Sequence, residues 1–201
     1  MMLATYISPQ LHPFTPSLLG VIKMKIVYKG KDLMEGWVGT LVYIVLGIVI
    51  AYSINFLLGI VLKTDLPVVA VVSRSMTHDE TTPLVHYMWL EQNLNLTREE
   101  IDSWPLSNGF RRGDILVVVG VDRDELKVGD VIVFSLPHQK VPVVHRIIKI
   151  EDGVITTKGD HNPAPDPWKV KYEDVHGKAV FVVPYLGYVK VIFSEMFGVW
   201  W

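Results

Sequence analysis

The sequence contains no cysteine, which excludes a disulfide-stapled fold, thiolate zinc sites and a cysteine nucleophile. It also has no excess of positive charge: 19 Lys and Arg stand against 21 Asp and Glu in 201 residues, for a net charge of −2. We therefore expect no nucleic-acid partner bound by charge alone. A glycine-rich phosphate-binding loop is missing and the seven histidines are scattered, so we expect no metal and no other cofactor.

One long segment lacks charge altogether. Residues 37–62 contain no Asp, Glu, Lys or Arg, between Glu35 and Lys63. A helix of this length spans about 39 Å, more than the hydrocarbon core of about 30 Å, so the segment is predicted to be a transmembrane helix. A cleavable signal peptide fits less well, because its apolar region is shorter and ends at small residues, unlike Lys63-Thr64-Asp65.

Flanking charges predict the orientation of this span. Four lysines precede it and only Lys63 closely follows it, so the positive-inside bias places residues 1–36 in the cytoplasm and residues 63–184 outside it. Residues 185–201 are apolar apart from two charged side chains and end in two tryptophans. This C-terminal segment is too short for a confident second span, and we interpret it as an interfacial anchor.

The outer part has the pattern of a β domain. Short β-branched runs separated by turn signals occupy 67–72, 115–119, 131–134, 142–150, 154–157 and 177–183. Residues 79–110 interrupt this pattern and are interpreted as an inserted loop with some helix, capped by Asn95 or Thr97. The predicted fold is mainly β: one N-terminal transmembrane helix followed by an antiparallel β-sheet domain.

Three places carry residues suited to catalysis. Ser73-Arg74-Ser75-Met76 ends the first outer strand, His145 lies within a later strand, and Asp160 and Asp166 share one loop. A serine, a histidine and a carboxylate are the parts of an activated nucleophile. Each alone has a simpler explanation, as a turn residue, a packed histidine or an aspartate in a Gly-Asp turn.

Taken together behind a membrane span, these motifs resemble type I signal peptidases, the membrane serine proteases that remove leader peptides from exported proteins. Histidine stands where bacterial enzymes have the lysine of a Lys-Arg pair, which indicates the archaeal and endoplasmic-reticulum branch. The matching motifs lie within roughly residues 37–190 and are Ser73-x-Ser75-Met76, Arg112-Gly113-Asp114, Val128-Gly129-Asp130, Val144-His145-Arg146-Ile147 and Gly159-Asp160-His161-Asn162.

The resemblance implies a role for each residue. Ser75 is the expected nucleophile and His145 the expected general base, with Asp166 orienting the imidazole and Asp160 in support. Ser73 and the Ser75 backbone amide are the expected oxyanion hole. The chain departs from the family pattern at Arg74, where glycine is usual, and at Thr77-His78, where an acidic residue and proline are usual.

The same resemblance implies partners and a location. The expected partners are preprotein signal peptides, cut after small residues, and membrane lipid, and whether accessory subunits join them stays open. The expected location is a membrane crossed once, the cell membrane if the chain is archaeal. Two alternatives remain: a Ser–Lys protease with Lys158 as base, and a non-catalytic membrane-tethered β domain that binds exported chains or partner subunits.

Overall fold

The computed structural model describes residues 36–137 and 139–198. Nearly all of the predicted cytoplasmic segment 1–36 lies outside the described residues, as do Trp200 and Trp201 of the predicted interfacial anchor. The chain divides into two compact units, Met1–Tyr52 and Ser53–Trp201.

The uncharged segment forms one helix, α1, Trp37–Leu62. Side chains of residues 40–57 are exposed on every face, although most are apolar. In the described part of the chain, α1 is the one helix long and apolar enough to cross a membrane, by length and composition. In the second unit, α1 ends against the sheet, where Gly120 N donates to Leu62 O at 2.7 Å.

The second unit is built on one seven-stranded antiparallel sheet, which confirms the predicted mainly β fold behind an apolar helix. Its spatial order is β1-β2-β7-β3-β4-β5-β6, so β1 is an edge strand. The strands are β1 Val68–Ala70, β2 Ile115–Val119, β3 Val131–Phe134, β4 Val143–Glu151, β5 Val154–Lys158, β6 Val170–Lys171 and β7 Val175–Val183.

Six helical segments besides α1 accompany the sheet in the described residues. They are a π-helix Pro83–Met88 that continues into α2 Trp89–Leu94, α3 Arg98–Asp102, the 3-10 helices Arg123–Glu125 and Tyr172–Asp174, and α4 Tyr188–Phe197.

The central strand β3 shows where the core lies. Its four residues are apolar and fully buried, as expected for a strand covered on both faces. Val131 and Val133 pack into one cluster with Met76 and Phe110. The alternate residues, Ile132 and Phe134, pack into a second cluster on the other face, with Leu126, Ile147, Ile155 and Val170.

The segment 79–110 is packed onto the sheet through a third cluster. Leu90 and Ile101 are buried against Ile148 of β4, and the partly buried side chains around them include Tyr87, Trp89 and Trp104. Thr97 caps α3 in a reciprocal capping box with Glu100. Asn95 ends α2 in the left-handed conformation, so Thr97 starts a helix and Asn95 stops one.

Candidate active site

Ser75 lies in a turn five residues after the end of β1. The Ser73 and Ser75 hydroxyl oxygens are 3.0 Å apart, within hydrogen-bond distance. Ser73 is exposed and Ser75 is half-buried. The two serines therefore present their hydroxyls at one place, in the segment that follows an edge strand.

Backbone contacts on both sides hold this turn. His161 N donates to Ser75 O at 2.8 Å, and Phe110 N donates to Met76 O at 3.0 Å. The Met76 side chain is 1% exposed and packs into the core beside Phe110. A buried methionine next to a half-exposed serine positions the hydroxyl, which explains why an apolar residue follows Ser75.

His145 is paired with Asp166. Nδ1 of the buried imidazole lies 2.6 Å from Asp166 Oδ2, and Thr157 Oγ1 donates to the same oxygen at 2.7 Å. Asp166 N donates to Thr157 O at 2.9 Å, which ties the loop to β5. A carboxylate on Nδ1 favours the tautomer with its proton there and leaves Nε2 as an acceptor.

Ser75 and His145 line the same groove. Its walls are β1 with the residues that follow it and residues 141–145 at the start of β4, and the side chains are mainly apolar. Within the described residues no hydrogen bond joins Ser75 to His145; the Ser75 hydroxyl bonds Ser73 instead. The structure thus brings His145 to Asp166 and Ser73 to Ser75, and His145, Ser73 and Ser75 line one groove.

Asp160 belongs to a different group. Both of its oxygens accept from Arg146, at 2.9 Å from Nε and 2.7 Å from Nη2, and His78 Nε2 lies 3.1 Å from Oδ2. His86 Nδ1 lies 3.4 Å from Oδ1. Burial opposes ionisation of Asp160, but the Arg146 charge and these hydrogen bonds hold the pKa of the carboxyl well below its usual range.

No protein-family model matches the chain. It is 32% identical to the signal peptidase complex catalytic subunit SEC11C of Homo sapiens, over 46% of this chain and 55% of the relative. It is also 32% identical to the signal peptidase complex catalytic subunit SEC11 of Candida albicans, over 46% of this chain and 63% of that relative. The chain thus spans a little over half the length of these relatives.

The predicted resemblance to type I signal peptidases is confirmed. The relatives are of the endoplasmic-reticulum kind, the branch that His145 indicates.

Among signal peptidases, a lysine base is the alternative to histidine, and Lys158 is the candidate for it here. Its Nζ donates to Val85 O at 2.7 Å and to Gly159 O at 3.1 Å, and it lies 5.5 Å from the Trp89 ring. Burial lowers the pKa of Lys158 to about 8, against the opposing effect of Asp160. Lys158 is not among the groove residues, and these contacts tie its amine to the π-helix rather than to Ser75.

The group nearest to a metal-binding arrangement in the described residues is His78, His86 and Asp160. One ligand atom from each lies within 4.8 Å of the others. However, Arg146 already bonds both oxygens of Asp160, and its buried guanidinium would repel a cation. The arrangement is that of an ion-paired carboxylate, not of a metal centre.

Sequence reasoning missed Thr157, His78 and His86 as members of these groups. Thr157 sits in an ordinary β-branched strand, and nothing in its neighbourhood along the chain marks it. The two histidines lie in the polar segment 79–110 or just before it, more than 70 residues from Asp160. The one sign of a buried ion pair in the sequence was Arg146, a charged residue inside an apolar strand.

Proposed function

We propose that the chain is a membrane-bound serine endopeptidase that removes N-terminal signal peptides from exported preproteins, cutting after small residues. The observation that carries the proposal is that His145, paired with Asp166, lines the same apolar groove as Ser75 and Ser73. The similarity to signal peptidase catalytic subunits supports it.

In the proposed reaction, Ser75 Oγ attacks the scissile carbonyl while His145 Nε2 takes its proton. The Ser75 hydroxyl first turns from Ser73 toward His145, a rotation about a single bond. Catalytic hydrogen bonds often form only when substrate is bound, so the Ser73–Ser75 bond in the free chain is compatible with this step. Asp166 keeps the proton on Nδ1 and stabilises the imidazolium that forms.

Ser73 and the Ser75 backbone amide are proposed to hold the oxyanion. Once Ser75 has turned away, the Ser73 hydroxyl is free to donate to the developing negative charge. The imidazolium then protonates the leaving amine, and a water activated by His145 hydrolyses the acyl-enzyme.

Substrate binding is proposed along β1. This strand pairs with β2 on one side only, so its other edge offers backbone groups to an extended peptide. The apolar groove beside it, with Val69 and Val71 among its lining residues, suits small apolar side chains before the cut. Small residues are those that precede signal-peptide cleavage sites.

Membrane attachment is proposed to serve this reaction. With α1 as a single span and the N-terminus in the cytoplasm, Ser75 lies only 12 residues after Lys63. A signal peptide leaves its apolar region in the bilayer, so shared attachment raises its effective concentration at the site. The C-terminal segment 185–201 is proposed as a further interfacial anchor.

Asp160 is proposed as a positioning residue that holds Arg146 and the adjoining His161 loop.

The test is cleavage of a preprotein in detergent micelles by the full chain, by Ser75→Ala and by Ser103→Ala. Ser103 is an exposed serine at the end of α3 and is the matched control. We expect cleavage by the parent chain and by Ser103→Ala, and none by Ser75→Ala. Cleavage at an unchanged rate by Ser75→Ala would refute the proposal, and a chain that binds the preprotein without cutting it would favour the non-catalytic alternative.

A further inference from the structure

A second cavity lies beside Ser75 and has a different chemical character from the apolar groove. Three guanidinium groups line it, those of Arg74, Arg111 and Arg112, and we call it the arginine pocket. The polar side chains of His161 and Asp79 complete most of the lining. None of these residues has a role in the proposed reaction.

The arginine pocket and the groove are lined by neighbouring residues of the same two segments. Ser73, Ser75 and Asn162 line the groove, whereas Arg74 and His161, their neighbours in the chain, line the pocket. The two cavities therefore lie on either side of the Ser75 turn and the loop bonded to it.

Positive charge exceeds negative charge in the pocket. Arg112 is ion-paired with Glu195, but its Nε is buried without a partner. Within the described residues, no ion pair involves Arg74 or Arg111.

Asp79 is the one carboxylate in the lining, and it is already engaged. Its Oδ1 accepts from the Thr81 amide at 2.9 Å and from the Thr81 hydroxyl at 2.8 Å, and these bonds lower its pKa. Its Oδ2 lies 3.7 Å from His161 Nδ1. The two unpaired arginines are thus left to bind an anion from outside.

We propose that the arginine pocket binds an acidic side chain of the preprotein within the first few residues after the cut. The inference rests on the proposed function. If residues before the cut occupy the apolar groove, the chain after the cut leaves past Ser75 on the side of Arg74. Guanidinium groups match carboxylates in geometry and charge, so the pocket selects among preproteins by the early sequence of the mature protein.

The test compares two preproteins that are identical up to the cut and carry either Asp or Lys at the second and third residues after it. The full chain is assayed in neutral phosphatidylcholine vesicles. Exposed ion pairs each change affinity only a few-fold, so we expect kcat/KM to favour the Asp substrate by about tenfold at low salt. The ratio should shrink as ionic strength rises, because salt screens exposed charges.

Replacing Arg74 and Arg111 together by Gln should reduce this ratio to about two or less, since each lost pair removes a few-fold of preference. The ratio of two substrates does not depend on how much of the variant is active. Arg123→Gln removes one positive charge from an exposed 3-10 helix outside the pocket and should leave the ratio unchanged.

Three results would overturn the inference: a ratio near one in the parent chain, an unchanged ratio in the double variant, or an equal fall in Arg123→Gln. An unchanged ratio combined with weaker binding of the double variant to phosphatidylglycerol vesicles would assign the pocket to lipid phosphate instead. Failure to cut either substrate would refute the proposed function itself, a different outcome from cleavage without charge preference.

Discussion

Replacing Asp160 by Asn should damage the fold more than the chemistry. Arg146 is 1% exposed, and Asp160 is the carboxylate that balances its charge. An asparagine keeps one acceptor oxygen but places an NH₂ group against the other guanidinium nitrogen. Leaving a buried charge without its partner costs about 3–5 kcal/mol. At about 2–4 °C per kcal/mol for a chain of this size, the melting temperature should fall by roughly 6–20 °C.

Asp166→Asn is the matched comparison. An asparagine there can still contact Thr157 and His145, so the melting temperature should change by a few degrees only. It can hold the imidazole in the wrong tautomer, however, and turnover should fall by roughly 10³–10⁴-fold.

Both variants are assayed as purified full chains in detergent, by melting temperature and by cleavage rate below the transition. The reasoning is refuted if Asp160→Asn melts like the parent chain, or if it is folded and inactive while Asp166→Asn cleaves normally. The latter result would exchange the two roles.

Three further predictions concern Lys158, His145 and His86. Lys158→Met should keep most of the cleavage activity, because the Lys158 amine bonds the Val85 and Gly159 carbonyls; a folded, inactive variant would support the Ser–Lys alternative. His145→Lys should stay inactive, since a lysine base needs its own desolvated setting; robust cleavage by this variant would contradict the tuning of the site for imidazole. Burial lowers the pKa of His86 from 6.5 to about 4, so between these pH values the unfolded chain binds a proton that the folded chain does not. The free energy of unfolding should therefore decrease by up to roughly 3 kcal/mol as the pH falls from 6.5 to 4. A His86→Gln variant whose free energy of unfolding has the same pH slope would contradict this.

Much of the sheet could be predicted because its strands are local patterns. The runs 115–119 and 131–134 have the bounds of β2 and β3, since continuous β-branched residues between Gly-Asp turns permit little else. The turn between β4 and β5 is equally local: Asp152 and Gly153 both have positive φ, as a type I′ hairpin turn requires. β6 was missed because a strand of two residues has no periodicity to detect.

The candidate site was only partly predictable. The family motifs pointed to Ser75, His145 and Asp166 as candidate catalytic residues. Whether His145 contacts Asp166 or Asp160, however, depends on the register of the strands. His145 and Arg146 are neighbours on β4 and point to opposite faces of the sheet. Asp166 contacts His145 on one face of the sheet, and Asp160 contacts Arg146 on the other. Arg74 could not be interpreted from the sequence, because it departs from the family pattern. Only the structure places it in one pocket with Arg111 and Arg112.

Whether Ser75 and His145 act as one catalytic unit is tested most directly by a double-mutant comparison. Cleavage rates of one preprotein are measured for Ser75→Ala, His145→Ala and the double variant, all in the same vesicles. A nucleophile and its base lose their effect together, so the double variant should be no slower than either single variant. If the two losses instead multiply, or if either single variant cleaves at the parental rate, Ser75 is not the nucleophile that His145 activates.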